Sequence, residues 1–107
     1  MTIKDDAAKT AALLRKDGWC TDAYVTPEGQ HCIYGAIAQA VYGDVLLGRE
    51  DGVWMAEHSK LADAVLKRLT NLLDIEQGQF GELSGLNDNL DSVTPLLTVL
   101  DDIAGGR

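Results

Sequence analysis

The first apolar pattern in the chain is helical. Ile3, Ala7, Ala11 and Leu14 recur at three- and four-residue spacing, with Ala8 and Ala12 beside them and Lys9, Arg15 and Lys16 left for solvent. This predicts a helix over Ile3–Asp17. Asp5 and Asp6 suit its positive end, Arg15 and Lys16 its negative end, and Gly18 stops it. Residues 19–25 are rich in β-formers and lead into Thr26-Pro27-Glu28-Gly29. Pro at the second turn position with Gly two residues later predicts a short β-hairpin over residues 23–32.

From Cys32 the helical period returns. Cys32, Ala36 and Ala40 lie on one line and Ile33, Ile37 and Val41 on the next, so a second helix runs to about Tyr42 with Gly43 as its cap. The small residues along it let another backbone come close, which makes it the central helix. Residues 43–57 hold three Gly and mixed charge and read mostly as loop, with one helical turn over 44–47 and Trp54 and Met55 tucked onto the core.

Leu61, Val65, Leu69 and Leu72, widened by Ala62, Leu66 and Leu73, predict a third helix over residues 57–73, with Asp63 and Lys67 paired on its outer side. Residues 74–85 read as loop anchored by Ile75, Phe80 and Leu83, and Leu86-Asn87-Asp88-Asn89 as a turn. A fourth helix starts with Asp91 or Ser92 as N-cap and tolerates Pro95 in its first turn. It turns Leu96, Leu97, Leu100 and Ile103 inward and ends at Gly105. The expected fold class is mainly α, a small α+β: a compact bundle of about four helices with a short β-hairpin between helices 1 and 2. It forms a single domain over residues 1–107.

Composition bounds this picture. At 107 residues and 46% hydrophobic, the chain can bury one core without staples but not a second. Its apolar runs are broken well short of the ~20 residues that cross a bilayer, and the start turns acidic at once, unlike a signal peptide. A cytoplasmic location is expected. Two cysteines are too few for a disulfide scaffold there and read as small buried hydrophobes.

The charge is unevenly placed. Residues 1–73 carry ten acids and eight bases, whereas residues 74–106 carry seven acids and no Lys or Arg. Those seven, Asp74, Glu76, Glu82, Asp88, Asp91, Asp101 and Asp102, must stay in water, borrow cations from the first two-thirds of the chain, or face a basic ligand. A solvated, solubilising face is the ordinary explanation and an acidic docking surface the sharper one. Direct nucleic-acid binding is disfavoured, because these charges repel phosphate.

Candidate chemistry is sparse. Cys20, His31, Cys32 and His58 make a Cys2His2 count, but adjacent His31 and Cys32 would point to opposite faces of a strand, and the hairpin register sets Tyr24 rather than Cys20 opposite Cys32, so neither zinc nor a Cys20–Cys32 disulfide is expected. A thiol hydrolase built around Cys32, His58 and Asn87 is the enzymatic alternative. The apolar line on which Cys32 lies argues instead for an inert thiol. Residues 87–91 alternate oxygen donors like a calcium loop, yet Ser92 replaces its Gly and Thr98 its closing Glu. No phosphate-binding, dinucleotide or hydrolase-elbow motif is present, so no catalytic residue, cofactor or metal is assigned.

Gly18-Trp19 followed by Ala23-Tyr24, then Gly29-x-x-Cys32-x-x-Gly35-Ala36-Ile37, then Leu86-Asn87-Asp88 ahead of a short terminal helix, resembles a family of small uncharacterised proteins. Its members are found in actinobacteria and their phages, with ordered Gly-Trp…Ala-Tyr, Cys-x-x-Gly-Ala and Trp-Asn-Asp motifs. Trp19, Cys32, Gly35, Ala36, Asn87 and Asp88 match, and Leu86 departs from the usual Trp. The resemblance implies a phage or actinobacterial setting and no reaction. Together with the charge pattern it gives the expected function: a non-enzymatic interaction module of phage type. Its acidic C-terminal surface would bind a basic host protein, or the chain would bind itself.

Overall fold

The computed structural model describes residues 2–43, 55–76, 78 and 81–107. Helix α1 covers Ile3–Asp17, where Thr2 caps the start by accepting the Asp5 N–H at 3.2 Å and Gly18 closes the end with its N–H on the Leu14 carbonyl at 2.9 Å. Its inner line is Ala7, Thr10, Ala11 and Leu14, and buried Thr10 satisfies its hydroxyl on the Asp6 carbonyl. Ile3, at the first turn, stays exposed.

Helix α2 covers Ile33–Tyr42 and is buried continuously from Ile33 to Ala38, as befits a central helix. Its cap is the Cys32 sulfur, which accepts the Gly35 N–H at 3.4 Å. Gly43 ends it in the left-handed conformation at φ 74°.

Helix α3 covers Lys60–Leu73 and starts later than the periodicity suggests, because Ser59 breaks the run. The Ser59 hydroxyl accepts the Ala62 N–H at 3.0 Å and donates to the Ala56 carbonyl at 2.8 Å, separating a helical turn at residues 55–57 from the helix proper. Leu61, Ala62, Val65, Leu69 and Thr70 face the core, whereas Leu72 is exposed instead of inward. The expected Asp63 and Lys67 pair forms at 3.2 Å.

Helix α4, Leu83–Asp88, occupies a stretch that reads as loop and turn from sequence alone. Leu83, Leu86 and Asn87 lie on one helical face and are all buried, so tertiary burial outweighs Gly85 and the turn-forming Asn and Asp. Helix α5 covers Thr94–Ala104 and begins after Val93, two or so residues beyond the expected cap, with Pro95 in its first turn. Leu96, Val99, Leu100 and Ile103 are buried, and Leu97 is half-buried.

The expected β-hairpin is not formed: among the described residues there is no strand. In its place two isolated bridges meet at His31, one parallel with Trp19 and one antiparallel with Val25. The pairing stops after one residue on each side because Cys32 already caps α2, while residues 21–24 bend away through Asp22 at φ 65°. Helix α1 lies most extensively against α5 and then α2, with α3 against α5 and α4 against α2 and α3. Among the described residues, one apolar cluster draws on α1 to α5. Trp54, Phe80 and the turn expected over 44–47 lie outside the described residues.

Candidate functional site

The segment between α1 and α2 doubles back so that His31 sits between two neighbours. On one side the His31 N–H donates to the Gly18 carbonyl and the Cys20 N–H to the His31 carbonyl, both at 3.0 Å. On the other side the Thr26 N–H reaches the Gln30 carbonyl at 2.9 Å and the Cys32 N–H the Tyr24 carbonyl at 3.3 Å. The His31 ring is buried, with Nε2 3.1 Å from the Asp17 carboxylate at the end of α1.

Asn87 of α4 supplies what the backbone does not. In a continued parallel ladder the next rung would join the Ile33 N–H to the Cys20 carbonyl. Instead the Asn87 carboxamide stands between them: its oxygen accepts from Ile33 N at 3.1 Å and its nitrogen donates to the Cys20 carbonyl at 3.3 Å. The same oxygen accepts the Trp19 indole N–H at 2.8 Å, and the same nitrogen donates to Asp88 Oδ1 at 3.1 Å. Both acceptor and both donor positions of this fully buried amide are used. Asp88 Oδ1 also accepts the Asp22 N–H at 3.0 Å, tying the left-handed residue of the bend to α4.

Gly35 allows the last approach. A Cβ there would lie 1.9 Å from the Tyr24 carbonyl oxygen, so the bend can close over the start of α2 only where a side chain is missing. Trp19, Tyr24, Cys32, Gly35, Asn87 and Asp88, drawn from three separate parts of the chain, thus converge on one joint.

Over this joint lies a hollow of about 440 Å³ lined by Asp22, Ala23, Tyr24, Cys32, Ser84 and Asp88. Its described walls carry two carboxylates and no Lys or Arg. Burial pushes the Cys32 thiol up to about 11; the Gly35 and Tyr34 amides offset part of this, and Cys20 and Asp88 add to it. Burial likewise raises Cys20, with Asp88 and Asp22 adding to the rise. Both thiols are neutral near pH 7, and Cys20 Sγ donates to the Ala23 carbonyl at 3.3 Å.

A second hollow of about 370 Å³ is lined by Tyr34, Glu57, His58, Asp63 and Glu82, among others. The Tyr24 hydroxyl donates to Glu57 at 3.4 Å and so joins the rims of the two. Burial pushes the Tyr34 hydroxyl up to about 12, helped by the Glu82 and Glu57 charges and opposed by the Leu83 and Ser84 amides. His58 therefore lines one hollow, Cys32 the other, and Asn87 is committed to structure. The three residues of the thiol-hydrolase alternative share no described cavity. Among the described residues, no three His, Cys, Asp or Glu side chains are placed to hold a metal ion.

The seven acids of the C-terminal third separate into three groups. Glu82 and Asp88 stand at the two ends of α4, on the rims of the two hollows. Asp74 and Glu76 are exposed after α3, and Asp91 lines a third hollow of about 400 Å³ floored by Leu73, Ile75, Leu86 and Leu90. Asp101 takes both terminal nitrogens of Arg15, at 3.0 and 2.5 Å, which holds its carboxyl below the ordinary carboxylate range. Asp102 pairs with Arg107 at 3.2 Å. The anionic stretch thus borrows cations for part of its length.

Trp19, Cys32, Gly35, Asn87 and Asp88 meet at this one joint. The family of unknown function DUF6197 matches residues 1–105. The chain belongs to this family. No curated protein and no solved structure matches it. Within the described residues, no helix is long and apolar enough to cross a membrane. Sequence reasoning named Cys32, Asn87 and Asp88 but did not find Asp22 or Ser84 as part of the site. The one available signal was Asp22 itself, an acid within a run of β-formers.

Proposed function

We propose that this member of the DUF6197 family is a non-enzymatic interaction module that binds a basic segment of a partner protein. The observation that carries the reading is the hollow between Asp22 and Asp88, whose described walls hold no cation. Glu57 and Glu82 extend the negative field across the adjoining hollow. A Lys or Arg side chain entering there meets two carboxylates in a concave, partly dehydrated setting, where charge attraction is stronger than on an open surface. The acidic surface is therefore centred on the α4 joint and draws Asp22 and Glu57 into the set with Glu82 and Asp88. In the phage or actinobacterial setting that the sequence resemblance implies, the partner is a host protein.

The test is a titration of an arginine-rich peptide into the isotopically labelled chain, followed by amide shifts at low and high salt. The reading expects the largest shifts at Asp22, Ala23, Tyr24, Ser84 and Asp88, fading as salt screens the charges. Shifts centred elsewhere, or none at low salt, overturn it.

A further inference from the structure

The bridges around His31 place the two cysteines in an arrangement that the expected hairpin alone would not give. With Trp19 opposite His31 in a parallel bridge, the next opposed pair is Cys20 and Cys32. Side chains alternate along extended backbone, so both cysteines project from the same face of the bridge, opposite to Trp19 and His31. The Trp19–His31 rung holds the two segments about 5 Å apart, and just beyond it the Cys20 N–H still bonds the His31 carbonyl at 3.0 Å, which keeps the two cysteines near the Cα range that a disulfide spans. Both thiols are free and buried. Cys32 also lines the 440 Å³ hollow.

We infer that Cys20 and Cys32 form a thiol-oxidation site, closing to an intramolecular disulfide in the folded chain when exposed to a small-molecule disulfide such as oxidised glutathione. The Cys32 thiolate attacks one sulfur of the reagent, whose S–S bond breaks and releases one thiolate. The Cys20 thiolate then attacks the Cys32 sulfur of the mixed disulfide and expels the second thiolate. The two cysteine protons end on the two released thiols, so the protein loses two electrons and the reagent gains them. Because burial keeps both thiols protonated, the exchange is slow near neutral pH and speeds up in alkali. Closure removes the Cys20 S–H donation to the Ala23 carbonyl and fixes the bend over α2 covalently.

The test uses the full folded chain with oxidised glutathione at pH 8.5, read by intact mass. No Lys or Arg lies between the two cysteines, so trypsin leaves both on one peptide, and the linkage is mapped by cleavage after Glu28 instead. The expected product is a monomer lighter by two hydrogens, its two Glu28 fragments joined until a reducing agent is added. Its melting temperature should rise by about 5 °C or more, because the cross-link restrains the unfolded chain. Cys20→Ser and Cys32→Ser should each stop at a single glutathione adduct or stay reduced. A folded chain that gives only mixed adducts overturns the inference. So does one that links into dimers, or that stays reduced while the same chain in urea closes readily.

Discussion

The carboxamide oxygen of Asn87 accepts the indole N–H of Trp19 at 2.8 Å across 68 positions of sequence, while the same oxygen takes the Ile33 amide. The Asn87 side chain thereby acts as a borrowed peptide group, continuing a ladder that the backbone abandons at the entry to α2. Remove the amide, and the Ile33 N–H, the Cys20 carbonyl and the Trp19 indole lose the group that ties them to α4.

Asn87→Ala should therefore be among the most damaging single changes in the chain. It strands the Ile33 N–H, the Cys20 carbonyl and the Trp19 indole N–H around a buried position, for a loss of about 3–5 kcal/mol in urea unfolding. Asn89→Ala, two residues on and exposed, removes one bond to the Gly85 carbonyl and should cost less than about 1 kcal/mol.

At Gly35, helix propensity and sterics oppose each other. Alanine is intrinsically better in a helix by about 1 kcal/mol, yet its Cβ would meet the Tyr24 carbonyl at 1.9 Å. Since the obstacle is backbone, Gly35→Ala should destabilise by roughly 2 kcal/mol or more, visible as a lower melting temperature and as shifted Asp22–Tyr24 amides. A neutral or stabilised variant would show that the bend does not rest on α2.

The regular parts of the fold were legible because their signals are local. Ile3–Asp17 and the Leu61, Val65 and Leu69 line carry their helical period within a few turns, and the structure keeps both. The joint was not legible for the opposite reason. Whether residues 23–32 pair as a hairpin is decided by Cys32 being claimed as a cap and by the bend at Asp22, whose N–H is held by Asp88, more than 60 positions away. Helix α4 is helical through burial of Leu83, Leu86 and Asn87, which no periodicity over six residues can reveal. The charge count pointed to an anionic surface but could not foresee that Arg15 lies against Asp101.

The raised Cys32 thiol also has a consequence for stability. Its folded value of about 11 exceeds the ordinary thiol value of 9.0, so the folded chain holds this proton more tightly than the unfolded one. The stabilisation is complete below pH 9 and is lost as pH rises through 9 to 11, a decline on the order of 2 kcal/mol in unfolding free energy. Cys32→Ser, which keeps an acceptor for the Gly35 amide, should flatten this decline. An unchanged slope would place the titrating group elsewhere.

Arg15 sets the titration of Asp101. Arg15→Gln should move the Asp101 carboxyl up toward the ordinary carboxylate range, followed by its side-chain carbon shift across pH 2–5. If Asp101 titrates unchanged, the paired geometry is not the one that persists in solution.

The proposed function stands or falls on whether the attraction is local to the α4 joint or spread over a chain of net charge −8. Asp22→Asn and Asp101→Asn remove the same charge, and asparagine is well suited to the left-handed conformation of residue 22. The decisive measurement is the affinity of a fluorescent arginine-rich peptide for the two variants and the parent chain at one low salt concentration. A site in the hollow predicts that Asp22→Asn weakens binding by about threefold or more while Asp101→Asn leaves it close to the parent value. Equal weakening by both, or by neither, would contradict it.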